Sequence, residues 1–186
     1  MQQALIVIDV QESFRHRPYW CAADAAPFLA NIQLMIDGCR AQGMPILQIF
    51  HQESDAAPTD PFSARSGLVR QMPQLRLAAE EVFRKEVHSA LFATTSSGTS
   101  LQQWLHEHGI GEILVSGIRT EQCCETTTRH ASDLGFKVRF VSDATLTFPM
   151  RSRAGREFSA RQIREHTELV LDGRFARVLS TAQALA

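Results

Sequence analysis

Asp9, His51, Lys85 and the segment Gly117–Cys124 all fall at or just past the ends of short apolar runs in this 186-residue sequence. Between them they hold the parts of a thiol-dependent acyl transfer. A cysteine attacks as the thiolate, and its pKa falls at a helix N-terminus or beside a cation. Cys123 falls in the first turn of a predicted helix, where the positive end of the macrodipole favours an anion. Lys85 would supply the neighbouring cation and Asp9 would take the thiol proton, so no histidine is required. Backbone amides at a strand-to-helix turn are natural donors to an oxyanion. Each residue alone also has an ordinary structural role: an aspartate that caps a loop, a lysine that points to water, a cysteine that fills a small core site. What favours chemistry is their convergence on one edge of one sheet.

That convergence depends on the elements between them. The apolar runs predict strands over Ala4–Asp9, Pro45–Phe50, Glu81–Arg84, Glu112–Ser116, Lys137–Val141 and Ala176–Leu179. Most are continuous rather than alternating, as suits strands covered on both faces. Phe28, Ile32, Met35, Ile36 and Cys39 recur at helical spacing, with Gly43 where a left-handed cap belongs. Leu101, Trp104, Leu105 and His108 line a second helix that stops at Gly109, and a third runs from about Glu121 to Leu134. A fourth starts at Ser159, whose capping box Gln162 completes, and stops at Gly173. Strand–helix alternation predicts an α/β fold with three layers, α/β/α, on a six-stranded, mostly parallel sheet, as one domain over residues 1–186. Ligands of such sheets bind outside the carboxyl ends of the strands. The segment Gln52–Pro73, rich in Ser, Pro and Asp, is either a lid or an ordinary surface loop.

Composition narrows the partners. Hydrophobic residues make up 44% and charged residues 21%, and 19 Lys and Arg meet 20 Asp and Glu for a net charge of −1. That balance leaves no electrostatic footprint for nucleic acid or an anionic membrane, and favours a small-molecule substrate. Met1-Gln2-Gln3 leads into an apolar run too short for a signal peptide or a membrane span, so a cytoplasmic protein is expected. Cys21, Cys39, Cys123 and Cys124 show no Cys-x-x-Cys spacing, which argues against a zinc site or a disulfide framework. No Gly-x-Gly-x-x-Gly follows the first strand, so a dinucleotide-binding domain is set aside.

Three segments then carry a likeness to a known family. They are Ala4-Leu5-Ile6-Val7-Ile8-Asp9-Val10-Gln11 through Phe14, Arg84-Lys85 followed by Ser89-Ala90-Leu91-Phe92, and Val115 through Cys124 continuing by Thr127, Ala131, Gly135 and Val138 to Asp143-Ala144. In order and spacing, from about residue 3 to 180, the chain resembles the isochorismatase-like cysteine hydrolases, which include nicotinamidases and N-carbamoyl-amide hydrolases. The resemblance implies a catalytic triad of Asp9, Lys85 and Cys123, with the thiol three residues after Thr120. It implies a cis peptide between Ile118 and Arg119, and an oxyanion hole from the backbone amides of Arg119 and Cys123. The implied reaction is attack by the Cys123 thiolate on an amide-like carbonyl, with Asp9 moving the proton and activating water to clear the thioester. No cofactor is implied, and a homodimer or homotetramer is.

The departures bear on specificity. Glu12-Ser13 stands where the family often has Asn-Asp, and Arg119 stands where a small or apolar residue is usual. The Arg119 guanidinium would either bind a substrate carboxylate or point away. Metal-containing nicotinamidases carry an Asp and several His after the second strand; here only His51 is present, so no metal is expected. His106 and His108 are two apart on a helix and diverge. Phe14, Tyr19, Trp20 and Phe148 fall in loops at the active edge, where they would clamp a planar substrate or serve as core or subunit contacts. Successive helical residues diverge by about 100°. Cys124 is therefore expected to turn from the site and pack with Thr127, Ala131 and Leu134. The rival readings are a vinyl ether hydrolase of the isochorismatase type, and a non-catalytic oligomeric member that binds ligand. Retention of Asp9, Lys85 and Cys123 speaks against the second.

Overall fold

The fold follows from one period-two pattern. In the first strand, β1 (Gln2–Ile8), Ala4, Ile6 and Ile8 enter one apolar cluster while Leu5 and Val7 enter another, and none of the five is exposed. A strand with apolar side chains on both faces must be covered on both, which requires helices above and below. The computed structural model, which describes residues 2–186, has that arrangement. Strands β2 (Ile46–His51), β3 (Glu81–Lys85), β4 (Ile110–Ile118), β5 (Lys137–Leu146) and β8 (Arg177–Leu179) join β1 in a six-stranded sheet of order β3-β2-β1-β4-β5-β8. Every pairing in it is parallel. A short antiparallel hairpin, β6 (Met150–Arg151) and β7 (Glu157–Phe158), stands apart.

Helices α1 (Ala22–Ala41) and α5 (Thr181–Leu185) cover one face through Phe28, Ile32, Met35, Ile36 and Ala184. Helices α2 (Leu101–Glu107), α3 (Glu125–Asp133) and α4 (Ala160–Leu171) cover the other through Leu101, Leu105, Ala131 and Leu171. Helix α1 begins before Phe28, because its Ala-rich first turn favours helix despite Pro27. Strand β5 runs on to Leu146 across a register break opposite Val115–Gly117. That extension places Asp143 where its carboxylate accepts from both the backbone and the hydroxyl of Thr181, capping α5.

The strand order reverses between β1 and β4, which opens a crevice beyond their carboxyl ends. Two backbone features shape it. Asp9 leaves β1 with φ 55°, a left-handed conformation that aspartate tolerates better than most residues. Gly117 takes φ +126°, and a Cβ there would lie 2.0 Å from the Ile8 carbonyl oxygen. The close approach of β4 to β1 just before Asp9 thus requires glycine. Gly117→Ala is expected to cost at least about 3 kcal/mol in urea unfolding. Gly67→Ala, at φ +74° with open space around it, should cost only about 1–2 kcal/mol. Equal losses at the two sites would contradict the role assigned to the contact.

Candidate active site

The crevice brings Asp9, Lys85 and Cys123 together. Lys85 Nζ donates to Asp9 Oδ2 at 2.7 Å and to Cys123 Sγ at 3.4 Å. The Asp9 and Lys85 side chains are both 0% exposed. Asp9 Oδ1 is buried and has no hydrogen-bond partner among the described residues. One carboxylate oxygen is committed to the lysine, and the other is free to accept a proton.

The elements explain the reach. Lys85 ends β3 and pairs in register with His51, which ends β2. Because β2 lies between β3 and β1, the two outer strands are separated by about 10 Å, and a long side chain is needed to bridge them. Gln11 fixes the same edge: its Oε1 accepts from the His51 amide at 2.9 Å and its Nε2 donates to the His51 carbonyl at 2.9 Å. Cys123 is presented by a π turn, Thr120–Cys124, in which the Cys124 amide donates to Arg119 O at 3.1 Å. The expected α-helix from Glu121 begins only at Glu125. Single π turns inside helices are frequent at functional sites. The Ile118–Arg119 peptide before it is cis.

Electrostatics overturn the expectation of an acidified thiol. Burial pushes the Cys123 thiol up to about 12, the Asp9 carboxylate adds to the rise, and Lys85 offsets only part of it. Desolvation outweighs the cation, because the thiolate would have almost no water around it. Burial also works against the Lys85 ammonium, but Asp9 and Cys123 outweigh it and the lysine pKa is raised. His51 is shifted down, first by burial and then by Lys85, so its imidazole is neutral near pH 7. Its Nδ1 lies 3.3 Å from Lys85 Nζ, which assigns that nitrogen as the acceptor.

A cavity of about 160 Å³ opens onto Cys123 and Asp9. Phe14, His51 and Phe62 wall one side, Phe14 and Phe62 meeting edge to face at 4.9 Å. Tyr19, Arg119 and Gln122 wall the other. Arg119 and Cys123, whose amides the family pattern assigns to the oxyanion, both line it. The Arg119 side chain lines the cavity, and its Nε is buried with no hydrogen-bond partner among the described residues. It pairs with Glu121 at 2.9 Å and lies over the rings of Tyr19 and Phe148 at 5.4 and 5.6 Å. Larger hollows of about 420 and 620 Å³ lie against α1 and against α4 with the β6–β7 hairpin, away from the thiol.

Two aromatic expectations need correction. Trp20 faces the hollow on α1, and Phe148, 1% exposed, sits behind Tyr19 at 4.7 Å rather than in the wall. Leu134 does not complete the Cys124 stripe: Cys124, Thr127 and Ala131 are fully buried, whereas Leu134 is exposed beyond the end of α3. The segment 52–73 packs against the crevice and supplies Phe62 to its wall. Ser13 Oγ donates to Leu68 O at 3.0 Å, and Arg17 holds Asp60 at 3.0 Å while covering Phe62. The wall also holds Arg17, Glu53, Phe62 and His88, which residue types and spacing did not single out, and Gln122 from the selected segment Gly117–Cys124. His88 follows the end of β3 and was accessible to the same edge rule; Phe62 lies in a loop with no periodicity to place it. Among the described residues, no group of three His, Cys, Asp or Glu side chains could hold a metal ion. No described helix is long and apolar enough to cross a membrane.

The comparisons with known proteins agree with this architecture. A solved isochorismatase from Pseudomonas putida KT2440 superposes with a TM-score of 0.81 at 27% identity, covering 97% of this chain and 89% of its own. The protein thus has the three-layer α/β fold of that class, a six-stranded parallel sheet flanked by helices. The chain belongs to the isochorismatase family, whose Isochorismatase domain model matches residues 3–183. It is 28% identical to the uncharacterized isochorismatase family protein YrdC of Bacillus subtilis (strain 168), over 99% of this chain and 95% of that one. It is 31% identical to Nicotinamidase 3 of Arabidopsis thaliana, over 78% of this chain and 73% of the relative.

The coupling between Asp9 and the thiol has a sign that can be measured. Asp9→Asn removes a charge that raises the Cys123 pKa and leaves Lys85 to lower it. The midpoint for alkylation of Cys123 by iodoacetamide, followed by initial rates across pH, is expected to fall below that of the wild type. A midpoint that stays or rises would uncouple the two groups.

Proposed function

We propose that this hydrolase cleaves an amide-like C–N bond of a small molecule through a thioester on Cys123. The observation that carries the reading is the free, buried Oδ1 of Asp9 in a carboxylate locked to Lys85 beside the thiol. Burial and the Asp9 carboxylate both favour the protonated thiol, which suits attack coupled to proton removal. Cys123 Sγ attacks the carbonyl carbon as Asp9 Oδ1 takes its proton, and Lys85 balances the charge throughout. The backbone amides of Arg119 and Cys123 receive the developing oxyanion. Asp9 then returns the proton to the leaving nitrogen, the C–N bond breaks, and water cleaves the thioester.

Substrate size follows from the cavity. Its volume of about 160 Å³ is below the roughly 300–1,000 Å³ of sites for drug-sized ligands. Arg119 pairs with Glu121 and Arg17 with Asp60 in these walls, which leaves Glu53 as the carboxylate there without a cationic partner. Likeness to a protein named a nicotinamidase supports an amide as the bond cleaved.

A panel of small amides, ureides and carbamoyl compounds, scored for ammonia or amine release, tests the reading with two variants. Cys123→Ala should abolish turnover and keep the melting temperature. Cys124→Ala should keep turnover and lose roughly 1 kcal/mol of stability, as befits a small buried group. An active Cys123→Ala enzyme would overturn the thioester, and cleavage of a vinyl ether with no amide turned over would replace the C–N bond.

A further inference from the structure

One carboxylate in the crevice is left over once the other charges are matched. Asp9 is held by Lys85 at 2.7 Å, Arg17 by Asp60 at 3.0 Å and Arg119 by Glu121 at 2.9 Å. His88 turns its Nδ1 to Cys123 Sγ at 3.8 Å. Glu53 lines the same cavity, and among the described residues the one basic group that reaches its carboxylate is His51 Nε2, at 4.0 Å. That imidazole is no counter-charge. Its Nδ1 accepts from Lys85 at 3.3 Å, and burial and the lysine together keep it neutral near pH 7. A separation of 4.0 Å is also too long for a hydrogen bond.

The chain fixes Glu53 in this place. The Gln52 amide donates to the Lys85 carbonyl at 2.9 Å and the Glu53 amide to the Phe62 carbonyl at 2.9 Å, so the backbone beyond β2 is pinned on both sides. Residues two apart in extended chain share a face, which sets Glu53 on the cavity side with His51. Its side chain is 50% exposed and stands at the mouth. From there a shallow hollow runs outward past Ser54, Asp55, Ala56 and Glu86, with no cation in its lining.

We infer that Glu53 is a specificity-determining residue, which selects amides carrying a small ammonium group away from the scissile carbonyl. This rests on the amide reading above and adds to it the charge of the substrate. The paired charges of the wall cancel, whereas Glu53 adds one uncompensated negative charge at the entrance. A cation is drawn in and a carboxylate is repelled. An ammonium seated there regains, through a charge-assisted hydrogen bond, part of the hydration it gives up. With the carbonyl against Cys123, a cavity of about 160 Å³ leaves room for only a short link between the two groups.

Charged thiol reagents test this without any turnover. Labelling of Cys123 is the part that Cys123→Ala abolishes. Its rate with aminoethyl methanethiosulfonate, a cation, is divided by its rate with sulfonatoethyl methanethiosulfonate, an anion, so that the reactivity of the thiol itself cancels. Glu53→Gln should lower this ratio at least about threefold, the scale of one exposed charge pair. Added salt should lower the ratio of the wild type more than that of the variant. Glu86→Gln, which changes the outer hollow alone, should have the smaller effect. The side chain of Glu53 is half exposed, so the variant should keep the wild-type melting temperature. A change below threefold for Glu53→Gln, or an equal one for Glu86→Gln, overturns the assignment. Among amides that are turned over, pairs differing by ammonium against methyl should show a KM preference for the ammonium that Glu53→Gln removes. Cleavage without that preference counts against Glu53 alone. Charge-selective labelling with no amide cleaved counts against the amide reading alone, and leaves Glu53 selecting cations at this site.

Discussion

An ammonium and a carboxylate 2.7 Å apart, neither exposed to water, hold this site together. Two such charges are costly to desolvate, and removing one partner of a buried pair typically costs about 3–5 kcal/mol. The surrounding structure is arranged to keep both. Lys85 ends β3, Asp9 follows β1, and the lysine side chain spans the width of β2 between them. Gly117 lets β4 approach the end of β1, which sets Cys123 against the pair from the far side. The geometry of the crevice is therefore a consequence of where one ion pair can be closed.

The same pair bears on the state of the Cys123 thiol. A cation beside a thiol acidifies it, and a buried carboxylate beside it does the reverse. Here burial and the carboxylate together prevail. A resting thiol is less prone to stray alkylation and oxidation than a resting thiolate. On the proposed mechanism, reactivity then depends on a substrate carbonyl that allows the proton to move to Asp9 as sulfur attacks.

Much of this was legible from residue types and order. The apolar runs located every strand of the main sheet, and the edge rule selected Asp9, His51, Lys85 and the Gly117–Cys124 segment. The likeness in the segments around Asp9, Lys85 and Cys123 pointed to the family that the comparisons report. What escaped were features set by tertiary contact. The π turn over Thr120–Cys124 has the composition of an ordinary helix start, and α5 is too short to show a period. Trp20 and Phe148 lie as near the edge in sequence as Phe14, but Phe148 is enclosed behind Tyr19 and Trp20 turns onto α1. Burial of the thiol, the factor that raised its pKa, is a property of packing that no local motif carries.

A thioester on Cys123 means a covalent acyl group on one particular sulfur. Quenching the enzyme in acid during turnover of a small amide and mapping its peptides by mass tests it most directly. The acyl mass should appear on the peptide region at Cys123 and be removed by hydroxylamine, as a thioester is. Acyl mass on Cys124 or on the Asp9 peptide, or none on any residue while hydrolysis proceeds, would contradict it.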